Sequence, residues 1–127
     1  MSKNDSRPLS PHLQIYDLPM TAKLSVLHRG TGAALSAGMI LLVIALVAAA
    51  NGESSWNSMQ GFLSSWFGYL VLFGFTATLY YHFCNGIRHL MWDMGKGLEL
   101  SEVEKSGKVV MVATAVLTCV TWVIALL

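Results

Sequence analysis

Three stretches of the chain carry no Asp, Glu, Lys or Arg: Gly30–Gly52, Ser54–Ile87 and Val109–Leu127. A helix crossing the roughly 30 Å hydrocarbon core of a bilayer needs about 20 apolar residues, and LSAGMILLVIALVAAA (Leu35–Ala50) with its flanks supplies them. Lipid offers no partner to backbone N–H and C=O groups, so each crossing has to satisfy them internally as a helix. The second stretch is too long for one ordinary crossing at about 1.5 Å per residue, so its first part is expected to be an external loop. The pattern predicts an all-α integral membrane protein, a single domain over 1–127, with transmembrane helices over about 27–51, 64–92 and 107–127 after an N-terminal segment, 1–26. Composition agrees: 54% of residues are hydrophobic and 12% charged, against about 25% charged in soluble domains.

The basic residues set an orientation. Lys3, Arg7, Lys23 and Arg29 precede the first crossing, Arg88, Lys96, Lys105 and Lys108 lie between the second and third, and Asn51–Trp56 contains none. The positive-inside rule then places the N-terminus in the cytoplasm and the C-terminus in the periplasm. Trp56, Trp66 and Tyr69 are expected at the outer interface and Trp92 at the inner one. The first residues resemble neither a secretory signal nor an Arg- and Ser-rich transit sequence. A bacterial inner membrane is therefore the expected location, with the mitochondrial inner membrane as the alternative. A net charge of +1 without clustered bases excludes an extended nucleic-acid surface. Cys84 and Cys119 form no CxxC or CxxCH pattern and are read as small buried hydrophobes. Gly30, Ala34 and Gly38 repeat every four residues, a smooth stripe suited to close helix packing, including packing against a second membrane chain.

Ionisable groups inside apolar spans are costly and usually functional, which singles out His82. At helical spacing it shares a stripe with Phe75, Thr78, Asn85, Gly86 and His89, and Gly86 leaves a shallow place where a flat ring could lie. From position alone, His82 is equally readable as hydrogen-bonded to a neighbouring helix or as a metal ligand. The chain has four histidines, and haem iron accepts axial imidazole. His82 and His89 stand about 10.5 Å apart along a helix, too far to clamp one iron. His28, at the inner edge of the first crossing, reads as shallower than His82 and poorly placed as its partner. A haem on His82 would thus take its second axial ligand from another chain. Its propionates would be met by Arg29 and Arg88, with His28 or His89; snorkelling of the two arginines to lipid headgroups explains their position equally well.

RPLSPHLQIY (Arg7–Tyr16), SVLHRGTG (Ser25–Gly32) and HFCNGIRHLMWDMGKGL (His82–Leu98), in this order and with three crossings, resemble the large cytochrome b anchor subunits of succinate dehydrogenase, the succinate:quinone oxidoreductase called complex II. The resemblance implies a helical bundle shared with a small anchor subunit. It implies haem b with His82 as axial iron ligand and the other ligand from that small subunit. Ser25 and Arg29 match residues lining the ubiquinone site beside the iron–sulfur subunit, His28 matches a residue near the propionates, and Asp93 matches an acid near the quinone pocket. FAD and iron–sulfur clusters would belong to the flavoprotein and iron–sulfur partners; the chain itself has no GxGxxG and no cysteine cluster. Ser25 can donate a hydroxyl hydrogen bond and Arg29 fixed, charged donors, the groups needed to hold quinone oxygens. The other nitrogen of His82 is expected to bond the Thr78 carbonyl. A menaquinone-linked fumarate reductase anchor and a haem-free structural subunit are the alternative readings.

Overall fold

The computed structural model describes residues 17–127, which form four helices: α1 (Met20–Ala50), α2 (Glu53–Leu63), α3 (Trp66–Asp93) and α4 (Leu100–Leu126). The Arg7–Tyr16 motif, Lys3 and Arg7 lie outside the described residues. Among those described there is no strand, and α1, α3 and α4 are each long and apolar enough to cross a membrane.

The helices overrun the charge-free stretches, because apolarity marks where lipid lies and local chemistry decides where a helix stops. α1 begins at Met20, not near 27. Its start is fixed by Pro19, whose carbonyl accepts from the Ala22 and Lys23 amides at 3.0 and 3.2 Å; proline favours a helix entrance because it has no N–H to leave unpaired. At 31 residues α1 is about 46 Å long, more than the hydrocarbon thickness, so its ends stand beyond it. α4 likewise starts at Leu100, not near 107, after a turn in which Gly95 and Gly97 take positive φ (70° and 73°), a conformation that costs glycine little. The expected external loop is instead the helix α2. Glu53 in its first turn complements the helix dipole. The two serines that follow α2 close the corner: Ser65 caps α3, its Oγ accepting from the Gly68 amide at 3.1 Å and donating to the Phe62 carbonyl at 2.6 Å.

α3 is the central element, antiparallel to both neighbours. Along α1 the pairings run Leu24 to Tyr81, His28 to His82 and Gly38 to Phe75; along α4 they run Arg88 to Ser106 and Tyr80 to Thr121. In the expected small-residue stripe, Gly38 is the position that packs: a Cβ there would overlap the Phe75 ring, whereas Gly30 faces open space. The only buried apolar cluster among the described residues is Leu24, Tyr81 and Val110, which draws the three long helices together at one end. Elsewhere large apolar side chains face outward, among them Ile40, Leu46, Leu70, Val112 and Ile124. In lipid this carries no penalty, since tails are as apolar as the side chains, and specificity falls to close packing and hydrogen bonds between helices. Tyr81 Oη donates to the Leu24 carbonyl at 2.7 Å, and Tyr80 and Thr121 share a hydrogen bond of 2.7 Å.

Candidate functional site

Three histidines converge where α1 passes α3. The His28 and His82 rings stack with centroids 4.0 Å apart and 12° between planes; His89 lies 5.0 Å from His28 and meets Trp92 edge-on. They line a groove of about 440 Å³ flanked by Phe83 and Leu90, with Gly86 as its floor. Gly86 has only the His28 ring edge near its Cα face, at 4.0 Å from an ideal Cβ, so the shallow place expected over it is open.

His28 therefore stands level with His82. The sequence estimate of its depth took the edges of the two charge-free stretches as one plane. The Leu24–Tyr81 and Gly38–Phe75 contacts set a different register and bring the two rings face to face.

His82 is held from α1, not from its own helix. Its Nδ1 lies 3.1 Å from Thr31 Oγ1 and 3.2 Å from the His28 carbonyl oxygen, in place of the expected Thr78 carbonyl. A histidine side chain on a helix tilts off its own backbone toward the neighbour it packs on, and here that neighbour presents two oxygens. Gly32 gives the ring room, since a Cβ there would stand 3.2 Å from His82 Cε1. Thr31 escaped the sequence reading. Its signal was the His28-x-x-Thr31 spacing, which puts a hydroxyl on the same helix face as a histidine.

Asn85 leaves the histidine stripe, and Arg88 stands with it between α3 and α4. Asn85 is fully buried and Arg88 is 3% exposed; the Arg88 guanidinium donates to Ser106 Oγ (2.9 Å), the Val103 carbonyl (2.9 Å) and Asn85 Oδ1 (3.4 Å), and lies 4.1 Å over the Trp92 ring. Arg88 thus binds α4 to α3 and does not line the groove. Two acceptors on α4 and one on its own helix hold the guanidinium, which gives its position a structural reason besides snorkelling or an anion. Replacing Arg88 with Leu removes several hydrogen bonds from a charged group, which contribute about 1.5–3 kcal/mol each, while the Val103 carbonyl keeps Ser106 Oγ as a donor at 3.1 Å. Arg88→Leu is expected to lower the thermal stability of the detergent-extracted protein by several degrees while Arg88→Lys loses less, read by the midpoint of thermal unfolding; equal midpoints for all three would remove this role.

The other candidate residues lie at the same end of the bundle. Ser25 is half-buried one turn before His28, and Arg29 is exposed beside it; Asp93, exposed, ends α3 one turn beyond His89. The only ion pair among the described residues joins Lys23 and Asp17, so Arg29 is left with its donors unpaired by carboxylates there. Buried beneath them, His28 Nδ1 has no hydrogen-bond partner among the described residues. A flat, anionic group with a central metal fits this arrangement: an imidazole anchored through Nδ1, an open groove beside it, and beside that a histidine whose Nδ1 has no partner among the described residues.

Fold and site define a class, that of three-crossing membrane subunits carrying a histidine groove between their first two crossings. The chain matches the family described as succinate dehydrogenase/fumarate reductase transmembrane subunit over residues 3–121, and it belongs to that family. It is 40% identical over 119 residues to the succinate dehydrogenase cytochrome b556 subunit of Paracoccus denitrificans, covering 94% of this chain and 92% of the relative. It is 37% identical over 119 residues to the cytochrome b556 subunit of Rickettsia felis, covering 94% and 93%. With the mitochondrial cytochrome b560 subunit of Sus scrofa it shares 44% identity over 111 residues, 86% of this chain and 66% of the relative. It is thus a membrane subunit of an oxidoreductase complex, as the sequence motifs implied.

Proposed function

We propose that this chain is the large membrane anchor of succinate dehydrogenase, that it binds haem b jointly with a small anchor subunit, and that it forms part of the ubiquinone-reduction site. The observation that carries the reading is His82: a histidine within an apolar crossing, fixed through Nδ1 by two oxygens of α1, beside an open groove. An imidazole fixed in this way has its other nitrogen available to a metal.

In this reading His82 supplies one axial ligand and the small anchor supplies the other, since His28 is stacked on His82 and cannot face it across an iron. His28, His89 and Arg29 receive the propionates; Arg88 serves by fixing α4. Haem b, when bound, supplies one-electron carriage. Ser25 and Arg29, adjacent on α1 at the exposed end, hold the quinone oxygens by hydroxyl and guanidinium donors. Asp93, exposed where α3 ends, passes protons from the aqueous side. Flavoprotein and iron–sulfur subunits bearing FAD and clusters dock at this end. The basic residues support a cytoplasmic placement for it, in a bacterial inner membrane with the C-terminus periplasmic.

The test is a reduced-minus-oxidised visible spectrum of the complex extracted gently with its native partners. Sharp low-spin b-type bands, with ubiquinone as the co-purifying and competent acceptor, are expected. An intact complex without such bands would leave His82 without its ligand and overturn the haem part of the reading.

A further inference from the structure

Resting on the haem reading above, we propose that Thr31 is a positioning residue for His82, whose hydroxyl fixes the imidazole proton on Nδ1 and strengthens donation from Nε2 to iron. The hydrogen-bond directions around the ring carry this. Thr31 Oγ1 donates to the His28 carbonyl at 2.8 Å, which uses the only hydroxyl hydrogen and leaves that oxygen as an acceptor toward His82 Nδ1 at 3.1 Å. The second neighbour of Nδ1, the His28 carbonyl at 3.2 Å, is an acceptor by nature. Both oxygens facing Nδ1 therefore accept, and Nδ1 must be the protonated nitrogen. The lone pair falls on Nε2.

The same segment of α1 fixes the ring's direction. Thr31, 9% exposed, is locked by its own bond back to the carbonyl three residues earlier, a habit of helical threonine. His28 covers one face of the His82 ring, and Gly32 sits beneath Cε1, 3.2 Å from an ideal Cβ. Three residues of one helix turn thus determine the tautomer, tilt and donor strength of a ligand on another helix. Two acceptors on Nδ1–H shift electron density onto Nε2, and a more basic axial imidazole favours the ferric state. Losing the threonine oxygen leaves one acceptor, so ferric haem is stabilised less and the midpoint potential rises.

The experiment compares Thr31→Val and Thr31→Ser in the intact complex, with haem per complex measured after denaturation and the haem midpoint potential and low-spin resonance signal measured in the assembled state. Thr31→Val is expected to keep haem and to raise the potential by about 59 mV for each tenfold loss of ferric preference in a one-electron couple, up to about a tenfold loss. Thr31→Ser, which keeps the oxygen, is expected to match the native complex. If the valine variant fails to assemble, Thr31→Cys, with a weaker acceptor of similar size, is expected to give a smaller rise. A variant lacking the hydroxyl that retains full haem with unshifted potential and signal overturns the proposal while leaving the haem reading intact. A native complex without haem, or haem bands indifferent to loss of His82, overturns both.

Discussion

His82→Leu is expected to abolish the low-spin b-type bands of the assembled complex while leaving succinate oxidation with a soluble acceptor in place. Leucine suits the test because it has a similar size and no polarity to accommodate in lipid. The structural cost is modest: Thr31 keeps its bond to the His28 carbonyl, and the two interactions lost at Nδ1 are worth about 1 kcal/mol net each. Arg88, Tyr80 and Tyr81, which tie the three long helices together, make these hydrogen bonds to other residues. Assembly should therefore survive, and what disappears is the imidazole. The measurement is the reduced-minus-oxidised spectrum of complexes matched for subunit content. Bands unchanged in position and intensity would show that His82 is not an iron ligand and is, instead, one end of an interhelical hydrogen bond.

The crossings were legible because absence of charge over some twenty residues has one main physical cause, the cost of placing charge in hydrocarbon. The helix ends were not, since Pro19 and the Gly95–Gly97 turn act through backbone geometry and not through polarity. The α2 segment reads as a loop because Ser54–Ile87 is too long for one crossing; the surplus forms a separate short helix, ESSWNSMQGFL, between two crossings. The family emerged from three short motifs, yet the depth of His28 did not, because register between two helices depends on contacts such as Gly38 with Phe75 that no single-helix period contains. Arg88 shows the same limit more sharply. On its own helix it is a cation near a membrane surface, and its partners Ser106 and Val103 become neighbours only when α4 folds back on α3.

Arg29→Ala is expected to lower ubiquinone reduction by roughly a hundredfold, in line with the cost of removing one fixed donor from a site where negative charge develops, while succinate oxidation with a soluble acceptor is preserved. Arg29 follows His28 on α1 but points to the exposed side, and among the described residues it enters no ion pair. Among the described residues its removal breaks no side-chain hydrogen bond or ion pair, which separates it from Arg88, whose loss acts through packing. Guanidinium is the relevant chemistry: it stays charged, and its planar donors are fixed relative to one another. Arg29→Lys should recover part of the rate, because charge returns without the planar fork. If the rate falls through substrate affinity alone, KM for a soluble quinone rises with kcat intact and Arg29 only binds. A fall in kcat assigns it to the charge that forms during reduction. Normal quinone reduction by a properly assembled Arg29→Ala complex would remove Arg29 from the quinone site and leave it as a cation at the membrane surface.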